Sequence, residues 1–217
     1  MRINKYISEA GKASRRGADK LINEGRVLIN GKKATIGSQV EPGDQVLVDG
    51  AELYVARNNV YIALNKPVGI TSTTEKNVRG NIADLVNHTP RVYNIGRLDK
   101  DSEGLILLTN DGDIVNEILR PEGRHEKEYV VSVDRPITPD FLKAMASGVK
   151  ILGTTTLPCE VEQLSKYDFK IILTQGLNRQ IRRMCEELGY NVYRLQRLRI
   201  MNIQLGNLPV GQWRYLS

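Results

Sequence analysis

The sequence predicts an α+β protein in two parts: a small unit of two helices and short strands over residues 1–57, then a larger domain over 58–217 with a mixed, mainly antiparallel sheet flanked by helices. Three observations carry this. The first 50 residues alternate short helical patterns with turn signals. From Tyr61 the pattern changes to longer strand-like apolar runs. Beyond that point strands and helices do not alternate regularly, which disfavours a parallel doubly wound sheet.

Taken in order, residues 3–10 read as a short helix stopped by Gly11. Ser14 can cap a second helix that carries Ala18, Leu21 and Ile22 on one face and ends at Gly25. Val27-Leu28-Ile29 is a short strand running into Asn30-Gly31, a strong hairpin signal. Pro42-Gly43-Asp44 turns the chain into Val46-Leu47-Val48, and Asp49-Gly50 turns it again. The polar stretch Ala56-Arg57-Asn58-Asn59 is the expected linker. Strands are then expected at Tyr61–Leu64, Leu105–Leu108, Tyr129–Val133 and Phe169–Leu173, and helices at 113–120, 139–147 and 179–188.

Composition is that of an ordinary globular protein, with 41% hydrophobic and 26% charged residues. No apolar run reaches the roughly 18 residues a membrane span needs, no signal-peptide core opens the chain, and a cytoplasmic monomer is expected. The two cysteines, Cys159 and Cys185, stand in no metal-like spacing and read as idle thiols of a reducing compartment. The net charge of +6 is uneven: residues 1–33 carry +6, residues 173–217 carry +5, and the middle is acidic. Every basic residue of the last segment is Arg, whose planar fork suits phosphate and stacks on bases. A polyanion such as RNA is the partner this implies.

Gly96-Arg97-Leu98-Asp99-Lys100-Asp101-Ser102-Glu103-Gly104 is the densest polar constellation. A calcium loop is excluded because Asn110 stands where the twelfth position requires a bidentate Glu. Asp101 and Glu103 are expected only to solvate a turn, whereas Asp99 is crowded by Leu98 and Arg97 beside a core strand. On a helix turning about 100° per residue, Ile181, Met184 and Cys185 share one face, Arg179 and Arg183 point away, and Arg182 sits on the boundary. A boundary Arg can lay its stem on apolar surface and aim its charge into a cleft. Tyr129, opening a strand after Lys127-Glu128, offers a flat face for a base and a phenol that can move a proton. The histidines, His88 and His125, have no spaced partners, so no metal and no cofactor are expected.

Together and in this order, Gly-Arg-Leu-Asp at 96–99, Lys-Glu-Tyr at 127–129 and Asn-Arg-Gln-Ile-Arg-Arg-Met at 178–184 resemble the core motifs of the pseudouridine synthases that modify ribosomal RNA. Leu64-Asn65-Lys66-Pro67-Val68-Gly69 looks like the opening strand and loop of that family, and residues 1–60 look like the S4-type RNA-binding domain of its RsuA-type branch. Within that branch, the residue pattern of 94–138 and 176–205 most resembles the F-type synthases of the large ribosomal subunit. The resemblance implies isomerisation of a uridine in large-subunit ribosomal RNA, with a tRNA anticodon stem-loop as a second substrate. It makes Asp99 the catalytic aspartate, stacks Tyr129 on the target base and pairs Arg182 with Asp99.

The chemistry agrees. Moving uracil from N1 to C5 attachment breaks a glycosidic bond and makes a carbon–carbon bond without redox change. A carboxylate can attack the sugar, remove its 2′ proton or add to the ring, and the sequence leaves these three routes open. Each needs an ionised Asp, which a neighbouring Arg secures. Extruding the base costs a few kcal/mol. Contacts from Arg2, Lys5, Arg15, Arg16, Lys20, Arg26, Lys66, Arg97, Arg179 and Arg183 are expected to offset it. Two competing readings are a non-catalytic S4-type ribosomal-RNA-binding protein and, more remotely, a metal-dependent nuclease using Asp99, Asp101 and Glu103.

Overall fold

The computed structural model describes residues 1–55, 59–75 and 78–216. Most of the expected linker, Ala56 to Asn58, and with it the 57/58 boundary, lies outside the described residues. By internal contacts the chain forms two compact units: Met1–Val60 with His88–Val92 and Asn110–Gly112, and Tyr61–Asn87 with Tyr93–Thr109 and Asp113–Ser217.

In the first unit, α1 (Ile3–Glu9) ends at Gly11, which takes φ 76°, the left-handed conformation the stop requires. The Ser14 hydroxyl accepts the Gly17 N–H at 3.1 Å and so caps α2 (Arg15–Asn23). Hairpins join β1 (Val27–Ile29) to β2 (Lys32–Lys33) and β3 (Val46–Val48) to β4 (Ala51–Glu52). Their turns, Asn30-Gly31 and Asp49-Gly50, put both central residues at positive φ, which these residue types tolerate. The strands order as β2-β1-β3-β4, and Ile3, Ile7, Ala18 and Ile22 pack on Val27, Val46 and Val48.

The second unit opens with β5 (Tyr61–Lys66), α3 (Ile82–Val86), β6 (Tyr93–Ile95), β7 (Glu103–Thr109) and α4 (Gly112–Leu119). After the short 3-10 turn Pro121–Gly123 come β8 (Lys127–Val133), α5 (Pro139–Ser147) and the small hairpin β9 (Lys150–Ile151) and β10 (Thr154–Thr155). The chain closes with β11 (Glu160–Gln163), β12 (Asp168–Leu173), α6 (Gln180–Glu187), β13 (Val192–Ile200), β14 (Ile203–Gln204) and β15 (Trp213–Tyr215). The main sheet runs β11-β12-β8-β13-β7-β5-β15, with β6 on β7 and β14 on β13. All its pairings are antiparallel except β13 with β7. The sheet is therefore mixed and mainly antiparallel, as expected.

The parallel pair is the seam of the domain. Gly104 on β7 faces Arg197 on β13, and a Cβ there would stand 2.3 Å from the Arg197 carbonyl oxygen. Gly104 also sits at φ 103°, so only glycine fits this approach. β6 occupies the other end of the same β7 edge, which holds the loop between them, residues 96–102, beside β13. β13 itself is not among the expected strands. Val192–Ile200 contains three Arg and a Gln, and it forms a strand because those polar groups meet partners across the sheet.

Candidate active site

The Asp99 loop is held from both sides by short hydrogen bonds. The buried Ser72 hydroxyl donates to the Leu98 carbonyl at 2.6 Å and accepts the Leu98 N–H at 3.1 Å. The Lys100 carbonyl accepts the Gly69 N–H at 2.7 Å, and Ser102 N–H closes a turn on the Asp99 carbonyl at 3.1 Å. Leu98 is buried beneath, so the loop is pinned and the Asp99 side chain, 33% exposed, is presented at the surface of a cleft.

The arginines arrive from the start of α6, but not in the expected pairing. The ion-pair partner of Asp99 is Arg179, at 3.9 Å. Arg182 lies 3.4 Å from the Asp101 carboxylate, donates to the Asp101 carbonyl at 2.8 Å and to Ser102 Oγ at 3.1 Å, and is anchored to the Val192 carbonyl at 3.2 Å. Its position inside the helix buries it behind the loop. Arg179, at the N-cap in the left-handed region (φ 51°), swings its guanidinium onto the front of the loop. There it donates to both Asp101 oxygens, at 3.1 and 2.9 Å. That fork holds the Asp101 carboxyl below the usual range, chiefly through the hydrogen bonds from Arg179.

Asp101 and Glu103 are thus more than turn solvators. Asp101 ties Arg179 and Arg182 together, and Glu103, whose side chain is 14% exposed, accepts from Arg194. With both carboxylates committed to arginines, the nuclease reading loses its metal ligands. Among the described residues no group of three His, Cys, Asp or Glu is placed to hold a metal ion.

The cleft encloses about 1120 Å³ and is lined by Asp99, Tyr129, Arg179, Arg182 and Arg197, with Arg97, Arg120, Arg124 and Lys127 adding positive charge. Tyr129 on β8 stands opposite Arg197 on β13, so both rise from the same sheet face. The Arg197 guanidinium carbon lies 5.9 Å from the Tyr129 ring centre. Arg197 is the functional-looking residue that sequence reasoning misses, because its signal is one more Arg in an Arg-rich run.

The remaining residues expected to touch RNA divide. Arg2, Arg15, Arg16 and Lys20 are exposed, and Lys20 sits 3.8 Å from Glu24. Lys5 is half-buried and lies 3.6 Å from Glu9. Arg97 is exposed on the cleft. Arg26 is spent within its own unit, forked onto Asp49 at 2.6 and 2.7 Å and bonded to Glu24. Arg183 does not project freely: it donates to the Asn178 carbonyl at 3.1 Å and steadies the turn into α6. Lys66 is the clear correction. It is wholly buried, its ammonium donating to the Pro67 and Ile70 carbonyls at 2.8 and 2.9 Å, and burial drops its pKa to about 8. It braces the loop after β5 instead of touching RNA. The two thiols are pushed up by burial, Cys185 to about 12 and Cys159 to about 11, so neither is a nucleophile.

The profile of the RNA pseudouridylate synthase family matches residues 60–187, and that of the S4 domain matches residues 1–46. The chain belongs to the RNA pseudouridine synthases. It is 59% identical to the dual-specificity RNA pseudouridine synthase RluF of Escherichia coli (strain K12), across 100% of this chain and 76% of that protein. It is 38% identical to the ribosomal large subunit pseudouridine synthase B of Bacillus subtilis (strain 168), across 100% and 90%. A crystal structure of a pseudouridylate synthase matches with a TM-score of 0.72 and 30% identity, covering 100% of this chain and 96% of the other. As an RNA pseudouridine synthase the protein is an isomerase that converts uridine to pseudouridine in RNA, and an S4-type protein that only binds is not favoured.

Proposed function

We propose that this pseudouridine synthase acts as a cytoplasmic monomer on a uridine of large-subunit ribosomal RNA, with a tRNA anticodon stem-loop as second substrate, and that Asp99 is its catalytic carboxylate. The observation that carries the site assignment is the Asp99 carboxylate at the cleft surface, 3.9 Å from Arg179, with Tyr129 lining the same cleft. The relative named a dual-specificity enzyme supports two RNA substrates, and the Bacillus subtilis relative, by its name, supports the ribosomal target.

In this reading the target nucleotide leaves its stack, at a cost of a few kcal/mol, and enters the cleft. The uracil lies on the Tyr129 ring while Asp99 faces the sugar. Attack on the anomeric carbon, removal of the 2′ proton and addition to the ring all start from the Asp99 carboxylate, which lies 3.9 Å from the Arg179 guanidinium. Arg182 acts one step back, holding the backbone of residues 101–102 and with it the loop that aims Asp99. When C5 has bonded to the sugar, its proton leaves, with the Tyr129 phenol as base or relay. The exposed Arg2, Arg15, Arg16 and Lys20, with Lys5, supply backbone contacts to the RNA, as does Arg97 at the cleft.

Pseudouridine mapping in cells with and without the gene tests the substrates. Loss of a single large-subunit site and a tRNA site is the expected result. An unchanged ribosomal map would overturn the assignment.

A further inference from the structure

Among the described residues, Arg197 is a buried charge, 3% exposed, with no carboxylate in ion-pair contact. Its Nε donates to the Leu105 carbonyl at 2.7 Å and its Nη1 to the Arg97 carbonyl at 3.3 Å, while Nη2 is shielded from solvent and meets no acceptor. A guanidinium buried without a carboxylate is costly, and a structural role at this seam would be filled more cheaply by a neutral donor. Burial, and to a lesser degree the Arg197 charge, lowers the pKa of Lys127, which also lines the cleft. The cross-strand register sets Arg197 beside Tyr129 on the cleft face, next to the ring on which the uracil is proposed to lie.

We propose that Arg197 is the fixed cation that offsets the negative charge uracil carries while it is being moved. The inference rests on the reading of the Asp99 cleft given above. The need for such a cation is common to all three routes. Where the sugar loses its base, the N1–C1′ electron pair leaves with the ring and spreads over N1, O2 and O4. Where Asp99 adds to the ring, the displaced pair lodges on C5 and O4. Where Asp99 has bonded to C1′, that ester bond breaks as C5 gives its pair to C1′; where Asp99 has taken the 2′ proton, the proton returns to C2′ as C5 bonds to C1′. Where Asp99 has added to C6, the N1–C1′ pair goes to N1 as C5 bonds to C1′, and loss of the C5 proton expels the carboxylate from C6. In each case the C5 proton departs and N1 takes one up, so atoms and electrons balance with no oxidant or donor. Until C5 bonds, the ring is anionic in a cleft where charges are poorly screened. A preoriented guanidinium then acts without reorganisation.

The test is a comparison of two RNA substrates, one with uridine and one with 5-fluorouridine at the target, in single-turnover reactions. Fluorine withdraws electrons and stabilises the anionic ring by itself, and ring departure precedes any loss of the C5 substituent. Arg197→Met is expected to slow consumption of uridine about 100-fold, and of 5-fluorouridine by much less. Arg197→Lys should restore most of the uridine rate, with RNA affinity little changed in both. Equal slowing of the two substrates would assign Arg197 a merely structural role and overturn the proposal. If Arg197→Met does not fold, Arg197→Gln, which keeps a donor for the Leu105 carbonyl, gives the same ratio. Asp99→Asn run alongside separates the two claims. If that variant stays active, the reading of the site fails whatever Arg197 does; if it is dead and the Arg197 ratio is one, only the Arg197 proposal fails.

Discussion

Lys66 shows how far a single residue can depart from what its type suggests. Its charge argues for RNA contact, yet its ammonium lies wholly inside the second unit, capping two carbonyls. Burial lowers its pKa from 10.5 to about 8, so the folded protein releases this proton while the unfolded chain still holds it. Between about pH 8 and 10.5 the unfolded state binds more protons, and the Lys66 contribution to stability rises with pH. Chemical denaturation of wild type and Lys66→Met should therefore diverge in favour of wild type as pH climbs through that window. A constant difference would mean the lysine is not buried as described. Asp101 teaches the complementary lesson. A run of acids and a lysine in a turn gives no sign that one carboxylate will gather Arg179 and Arg182 from 78 and 81 residues away. Asp99, by contrast, is singled out in the sequence by its motif and not by its local chemistry, and its catalytic role is the one proposed above.

At the scale of elements, the features readable from the sequence are those that rest on local periodicity. The capped α2, the hairpin turns at Asn30-Gly31 and Asp49-Gly50, and the alternating β8 with Tyr129, Val131 and Val133 buried all appear where the pattern places them. What escapes is set by distant partners. β13 looks too polar to lie mid-sheet, yet its Arg194 and Arg199 meet Glu103, Glu126 and Glu128, and Arg197 donates to two backbone carbonyls while its Nη2 meets no acceptor. Likewise the helix expected from 179 begins at Gln180, because Arg179 turns left-handed to reach Asp101. The β13–β7 seam carries the sharpest expectation for stability. Gly104→Ala puts a methyl against the Arg197 backbone and strains φ. It should destabilise the protein by on the order of 3–5 kcal/mol, read as a drop in the denaturant midpoint. A near-neutral effect would contradict the close approach of these strands.

At the scale of the whole molecule, division of labour follows from charge and exposure in each unit taken separately. The first unit exposes Arg15 and Arg16 at the start of α2, while Arg26 is already neutralised by Asp49 and Glu24. Reversing both charges, Arg15→Glu with Arg16→Glu, should weaken RNA binding and reduce the salt dependence of affinity by about 1.5 in log–log slope, as expected for two lost phosphate contacts. Turnover at saturating RNA should persist, since the cleft belongs to the second unit. Titration of RNA at several salt concentrations checks this, and an unchanged slope would remove these residues from the binding surface.

The claim beneath all of this is that one carboxylate, steadied by the Arg179 guanidinium, moves the base. Tritium release from RNA carrying C5-labelled uridine measures the departure of the C5 proton directly. Asp99→Asn, shown by its melting curve to be folded, should release tritium at least about 1,000-fold more slowly than wild type while still binding RNA. Release at the wild-type rate from that folded variant would contradict the account.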